Sequence, residues 1–254
     1  MKGMKKIIGL FIVAILGILN LNAQTAVSGE IVFEVKSNLK KSMGSSGWAE
    51  MMADKLPNFK TIFYKYSFAE NKSLYQFDHW ENKEALPGMF RESDEKTVCY
   101  VNHTEEKLVM QKDVFGTAFS LVDSLPNIEW KISNENRIIS GYNCRKAVGK
   151  ILDSVYVFVF YTDEIAISGG PCSIHGLPGM ILGMTIPRLY TSWIATSIKL
   201  TKPEPIVAPV VLKDVYTLKK AESIIVEKTK DWIEDPNDPE SKKWLDQMIW
   251  NVIL

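Results

Sequence analysis

The sequence predicts an α+β fold, built mainly on an antiparallel β-sheet with helices at its C-terminal end. Many short segments of alternating apolar and polar residues follow one another between residues 31 and 200. Turn residues separate them at short intervals, which favours an antiparallel sheet over parallel βαβ units. Residues 214–254 differ, because their apolar residues recur at helical spacing. We expect a curved sheet or an incomplete barrel, similar in architecture to periplasmic lipoprotein carriers.

The first half of the chain is predicted to contain strands and one short helix. Ile31, Phe33 and Val35 alternate with more polar residues and indicate a strand. Apolar residues at positions 48, 52 and 56 predict a helix over 48–56, which Pro57 ends. Further strands are predicted over 62–68, 74–80, 97–101 and 107–111, the last two forming a hairpin.

The second half continues the sheet and ends in helices. Strands are predicted over 128–132, 138–144, 146–151, 155–161, 180–186 and 189–200. The segment 155–161 is apolar at both odd and even positions, so we expect it to be covered on both faces. In the tail, Leu218, Ala221 and Ile225 share one helical face, and Asp238-Pro239 is typical of a helix start.

The N-terminus predicts export. Three lysines precede a charge-free apolar run over 7–19, and the small residue Ala23 precedes Gln24. We expect a signal peptide over 1–23 and a single domain over 24–254, with no transmembrane span after cleavage. An uncleaved membrane anchor is the alternative. The expected location is the periplasm, or a secreted or outer-membrane-associated form.

The charge of the chain argues against one class of function, and its cysteine content leaves two alternatives for the thiols. The chain has 30 basic and 30 acidic residues, which does not favour nucleic-acid binding. At 46% hydrophobic residues, it can bury a substantial core. The chain has three cysteines, Cys99, Cys144 and Cys172. Either two of them form a disulfide and the third is a free thiol, or all three are small buried residues.

A loop rich in glycine and proline follows the strand over 155–161. It contains Gly176-Leu177-Pro178-Gly179-Met180-Ile181, preceded by Gly170-Pro171. The segments 141–147 and 161–165 add a Gly-Tyr-Asn-Cys block and a Tyr-Thr-Asp-Glu-Ile block. With these blocks, residues 140–200 resemble the GLPGLI family, although Phe160 stands in place of the usual Trp and Met180 in place of Leu. The resemblance implies a secreted protein and assigns no activity.

The residues of the motif suit a folded turn or a loop that contacts a ligand. We expect Pro178-Gly179 at the centre of a type II turn, with Gly179 at positive φ. Gly176 is expected to allow close backbone approach, Leu177 to enter the core, and Pro171 to fix the entry to the loop. If the loop contacts a ligand, these five residues are the binding candidates.

A soft-metal site is the sharpest local hypothesis. Cys172, His175, Met180 and Met184 bring a thiolate, an imidazole and two thioethers into thirteen residues. This ligand set suits Cu(I), and zinc less well. Alternatively, the methionines pack in the sheet and His175 bonds to the loop backbone. Cys172 and His175 are not fixed features of the GLPGLI family, so the site would belong to a subset of it.

Enzymatic chemistry is not favoured. Cys172 with His175 would be an unusual thiolate–imidazole pair, since both lie on one loop. There is no Ser in a G-x-S-x-G context. His103 lies in a polar turn and is expected to be solvated. Hydrolysis through Cys172 therefore ranks third, behind binding and metal binding.

The sequence thus predicts an exported, non-enzymatic binding or cell-envelope-maintenance protein. Its partner would be a small apolar ligand, a peptide or an envelope protein. Aromatic residues at strand spacing either fill the core or line an apolar groove: Phe59, Phe63, Tyr66, Phe68, Trp80, Trp130, Phe158 and Phe160.

Overall fold

Alternating side chains build the strands, as the first strand illustrates. The computed structural model of the chain describes residues 28–43, 51–52, 54–114, 116–152, 154–202, 204–233, 235 and 237–254. In β1 (Gly29–Asn38), Ile31, Phe33 and Val35 are buried, whereas Val32, Glu34 and Lys36 are half-buried or exposed. One face of the strand therefore contacts the core, as period-two side chains require.

Twelve strands of the described residues form one open sheet, which confirms the predicted fold class. Their order across the sheet is β12-β6-β5-β4-β3-β2-β1-β11-β10-β9-β8-β7. Neighbouring strands are antiparallel, except that β12 pairs in parallel with β6. After β1 the strands are β2 (Phe59–Ala69), β3 (Lys72–Trp80), β4 (Val98–Asn102), β5 (Lys107–Val114), β6 (Thr117–Ser124), β7 (Glu129–Ile139), β8 (Tyr142–Ile151), β9 (Val155–Thr162), β10 (Met180–Ile186), β11 (Thr191–Leu200) and β12 (Val215–Tyr216).

Two longer helices end the chain, as predicted. Helix α3 (Leu218–Thr229) and helix α4 (Pro239–Ile253) follow two single-turn helices, α1 (Leu39–Ser42) and α2 (Glu92–Glu95). The Asp238 side chain accepts a hydrogen bond from the Ser241 amide at 2.8 Å and caps α4, with Pro239 in its first turn. Buried residues of α4, including Ile249 and Trp250, join the same apolar core as the sheet.

Three details of the predicted strands are wrong. Residues 138–144 do not form one strand, because Ser140 and Gly141 both have positive φ and turn β7 into β8. Strand β9 is not covered on both faces, since Tyr156 is 55% exposed. The sequence patterns also missed β6 altogether.

Some predictions lie wholly or mainly outside the described residues. The signal peptide over 1–23 is one, and the helix over 48–56 is represented by only a few residues at its C-terminal end. The helices that are described are all too short or too polar to cross a membrane.

Candidate functional site

A cavity of about 1130 Å³ lies between the sheet and helix α4. Strands β1, β2, β3, β5, β10 and β11 contribute to one side, α4 forms the other, and the motif loop adds Cys172 and Ile174. Its volume is at the upper end of what ligand pockets in proteins have. Aliphatic residues on its walls include Leu39, Ile174, Ile186, Met248 and Val252.

Two tyrosines form an aromatic surface within the cavity. Tyr64 and Tyr75 stack with ring centroids 4.6 Å apart. The Tyr64 hydroxyl donates to the Asp94 carbonyl at 3.1 Å, and the Trp193 indole N–H donates to the Tyr75 hydroxyl at 3.2 Å. Burial raises the pKa of both phenols well above the ordinary value, so they stay neutral near pH 7.

The carboxylates that line the cavity all have partners. Asp94 pairs with Lys60 at 2.6 Å, and Asp113 pairs with Lys96 at 2.8 Å. Glu240 lies 3.5 Å from the Lys243 ammonium, while Asp238 caps α4. Each acidic group is therefore already balanced by a nearby ammonium or by backbone N–H groups.

Lys112 is the exception among the charged residues of the cavity. It lies on β5 at the same parity as Leu108 and Met110, on a buried face, and only 7% of it is exposed. No hydrogen bond or ion pair joins its ammonium to any residue within the described ranges. Lysine is almost never buried to this extent without a paired charge, so an ammonium that lines the cavity without a protein partner is unusual.

Cys172 lines the cavity near Lys112. The residue is buried and its φ is 54°, a left-handed conformation that is uncommon for a residue with a side chain. Burial raises the pKa of the Cys172 thiol, and the nearby Lys112 charge offsets this only in part. The thiol is therefore mainly protonated near neutral pH, which does not suit a nucleophile. Cys99, Cys144 and Cys172 are all buried and free, with no disulfide.

The four residues of the predicted soft-metal site are divided between different surroundings. Cys172 and Met184 line the cavity. The His175 ring nitrogen Nε2 instead lies 3.1 Å from the Pro126 carbonyl oxygen, and fully buried Met180 lies beside Gly169. Among the described residues, no group of three or more His, Cys, Asp or Glu side chains could hold a metal ion. The metal site stays a prediction from the sequence.

His103 is not the solvated residue that its polar turn suggested. Its ring lies 6.1 Å from the His175 ring, and its Nε2 atom is buried without a hydrogen-bond partner in the described part of the chain. Burial, with a smaller effect from His175, lowers the pKa of His103 to about 4. Burial also lowers the pKa of His175. The two imidazoles are therefore neutral near pH 7.

The two glycines at the ends of Gly176-Leu177-Pro178-Gly179 have the reverse of their expected roles. Gly176 has φ of 96°, whereas Gly179 is not at positive φ, so the type II turn is wrong. Instead, the Gly179 amide donates to the Leu177 carbonyl at 2.8 Å, a three-residue turn centred on Pro178. Gly179 is needed because a β-carbon there would overlap the Thr162 carbonyl.

The rest of the motif loop is held from within. Leu177 is 2% exposed and enters the core as expected, and Pro171 is buried at the start of the loop. The Gly176 amide donates to Ser168 Oγ at 2.9 Å, and the Trp130 indole donates to the His175 carbonyl at 2.9 Å. These contacts give the five candidate binding residues structural roles, and they leave a ligand-binding role for the loop untested.

Sequence patterns named the wrong aromatic residues for a groove. None of the eight aromatic residues named from the sequence lines the cavity, whose aromatic walls come from Tyr64, Tyr75, Phe90, Trp193, Trp232, Trp244 and Trp250. Lys112 was also missed. Its position two residues after Met110, on the buried parity of a strand, was the signal that could have found it.

Comparisons with known proteins place the chain beside N-glycanases. A family model described as "N-glycanase peptide, N-terminal domain" matches residues 94–221. Two crystal structures of PNGF-II match with 17% and 16% identity and TM-scores of 0.47; they cover 76% and 89% of this chain and 31% and 33% of their own. An uncharacterized conserved protein from Thermus thermophilus matches with 8% identity and a TM-score of 0.38, over 80% of this chain and 99% of its own.

No curated protein matches the chain. The chain spans about a third of the length of the PNGF-II structures. The family model, however, matches half of the chain, from the end of α2 to the beginning of α3. The chain therefore belongs to the family of N-glycanase peptide N-terminal domains.

Proposed function

We propose that the chain is an exported, non-enzymatic binding domain that takes up a partly apolar ligand between its sheet and helix α4. The observation that supports this most is the cavity of about 1130 Å³, whose walls combine aliphatic and aromatic side chains with a few polar groups. Pockets of this composition are the usual sites for small ligands.

The chemistry of the cavity favours binding over catalysis. The Cys172 thiol has a raised pKa, the two tyrosines are neutral, and each lining carboxylate has its own partner. A catalytic site needs groups whose protonation is matched to a proton transfer near the working pH. Hydrolysis through Cys172 remains the third hypothesis.

A glycan is the second candidate ligand, and the family match favours it. On α4, Trp244, Gln247 and Asn251 are spaced by three and four residues and all line the cavity. An indole and two amides on one helical face can pack against a sugar ring and hydrogen-bond its hydroxyls. Because PNGF-II is much longer than this chain, whole-enzyme activity is not inferred from it.

The binding proposal is tested with a neutral fluorescent probe, N-phenyl-1-naphthylamine. We expect saturable binding to the wild-type protein and weaker binding in Met248→Trp, whose larger side chain takes up part of the cavity from α4. Glu222→Trp places the same side chain on an exposed position of α3 and serves as the control. Probe binding that Met248→Trp leaves unchanged would contradict the proposal.

The glycan alternative is tested on the same three proteins by calorimetry. An N-linked oligosaccharide that binds the wild-type and Glu222→Trp proteins but not Met248→Trp would make the glycan the leading ligand. An oligosaccharide that does not bind the wild-type protein would leave the apolar ligand as the better proposal.

The soft-metal site is a separate alternative that rests on Cys172 and His175. If these residues bind Cu(I), replacing both with Ala abolishes tight binding in a competition titration with a Cu(I) chelator. Equal affinity of the wild-type and doubly substituted proteins would end this hypothesis. The GLPGLI resemblance of residues 140–200 likewise stays a prediction.

A further inference from the structure

Lys112 places a positive charge inside the cavity, where the lining carboxylates have other partners. Its side chain is 93% buried and lines the cavity, as do Tyr64, Tyr75 and Cys172. No described residue forms a hydrogen bond or an ion pair with its ammonium. An ammonium group has three hydrogen-bond donors, and without acceptors from the protein these are left for water or a ligand inside the cavity.

The nearby carboxylates do not supply the missing negative charge. Asp113, the next residue along β5, pairs with Lys96 and accepts a hydrogen bond from the Gly116 amide at 3.1 Å. Asp94 is held by Lys60 at 2.6 Å. Because these carboxylates are engaged by other groups, the ammonium is left for a group that enters from outside.

We propose that Lys112 binds the anionic head group of the ligand, and that the ligand is a small amphipathic molecule with a single anionic group. This rests on the proposed function, because it assigns chemistry to the same cavity. The apolar part of the ligand contacts the aliphatic wall made by Ile186 of β10 and by Met248 and Val252 of α4.

The chemistry of each end of the ligand follows from the part of the cavity wall that it contacts. A carboxylate or phosphate accepts charge-assisted hydrogen bonds from an ammonium, and these are strongest where water is excluded. A saturated chain gains by leaving water for the apolar wall, roughly in proportion to the area that it buries. A neutral ligand of the same length leaves the Lys112 charge uncompensated, so the cavity discriminates against it.

The test is a displacement titration with three ligands of equal chain length: dodecanoate, dodecyl phosphate and dodecanol, each below its aggregation concentration. N-phenyl-1-naphthylamine is the reporter. The proteins are the wild type, Lys112→Met, Lys112→Arg, and Lys131→Met as the control. Lys131 is exposed on β7 and does not line the cavity, so its substitution removes the same charge elsewhere.

We expect at least one anion to bind Lys112→Met about 10- to 100-fold more weakly than the wild type, the loss typical of a hydrogen bond to a charged group. Dodecanol is expected to lose less affinity than the anions in Lys112→Met, since its hydroxyl oxygen carries no charge to pair with the ammonium. Lys112→Arg and Lys131→Met should retain the anion. The anion that loses more affinity in Lys112→Met identifies the head group.

Four outcomes would overturn the inference. If Lys112→Met binds the anions as the wild type does, or if dodecanol competes as well as the anions against the wild type, Lys112 does not select a charge. If the probe binds but no anion displaces it, the inference fails while the binding proposal stands. If the probe itself does not bind, both fail. Lys112→Gln is a second neutral variant for use if Lys112→Met does not fold.

Discussion

Gly179 contacts the backbone of Thr162 so closely that a β-carbon on Gly179 would lie 2.7 Å from the Thr162 carbonyl carbon and would overlap its oxygen. The contact joins the end of the motif loop to the end of β9. Backbone atoms cannot move aside as the end of a flexible side chain can. We therefore expect Gly179→Ala to lower the free energy of unfolding by about 1–3 kcal/mol, as overpacking does.

Denaturant unfolding measures this effect, and Gly116→Ala is the comparison. Gly116 has φ of 76° but no neighbour within 4 Å of a β-carbon, so its substitution meets only backbone strain. We expect a loss of about 1 kcal/mol there. A Gly179→Ala protein as stable as the wild type would contradict the close contact.

Local patterns predicted the elements well but not the site. The alternation of Ile31, Phe33 and Val35 predicted β1, and Asp238-Pro239 predicted the start of α4. These predictions succeeded because each depends only on residues within one strand or one helix end. The cavity could not be predicted in this way, because Lys112 and Val252 line the same cavity only as a result of tertiary packing. The prediction of a type II turn at Gly179 was wrong for the same reason. Gly179 packs against Thr162 of β9, and the local sequence does not show this contact.

Trp130 is expected to hold the motif loop in place. Its indole donates to the His175 carbonyl at 2.9 Å, and its ring packs where a side chain on Gly149 would collide with it. Trp130→Phe should lower the free energy of unfolding by about 1 kcal/mol through the lost hydrogen bond. Tyr156→Phe changes an exposed aromatic and should stay within about 0.5 kcal/mol of the wild type. Equal stability of the two variants in urea would contradict this role.

His103 should make the protein less stable in mild acid. Its pKa is about 4 in the folded protein and about 6.5 in an unfolded chain, so the unfolded state binds the extra proton between these pH values. Burial also lowers the pKa of His175, which faces it, so His175 acts in the same direction, although the hydrogen bond to the Pro126 carbonyl and the charge of Glu106 oppose this in part. Stability is therefore complete above about pH 6.5 and falls as the pH decreases towards 4.

Urea unfolding at pH 7.5 and 4.5 measures this dependence. We expect His103→Gln to reduce the difference between the two pH values by roughly 2 kcal/mol, allowing for partial exposure of the ring. A His103→Gln protein with the pH dependence of the wild type would show that His103 is not buried as described.

Lys112→Met is expected to stabilise the ligand-free protein. The substitution replaces an ammonium that lines the cavity without a protein partner by an apolar side chain of similar length, which removes the cost of partly desolvating the charge. We expect an increase of about 1–3 kcal/mol in the free energy of unfolding, seen as a higher thermal midpoint. Lys131→Met, which changes an exposed residue, should have almost no effect. A lower midpoint for Lys112→Met would mean that Lys112 has a stabilising partner.

Native mass spectrometry of the protein isolated gently from its native cells tests the central claim, that the cavity between the sheet and α4 holds a ligand. The wild-type protein and the Met248→Trp variant are compared. We predict that the wild-type protein retains a bound small molecule and that Met248→Trp, whose larger side chain takes up part of the cavity, retains less of it. Bare polypeptide masses for both proteins, or an adduct that Met248→Trp retains to the same extent as the wild type, would contradict the claim.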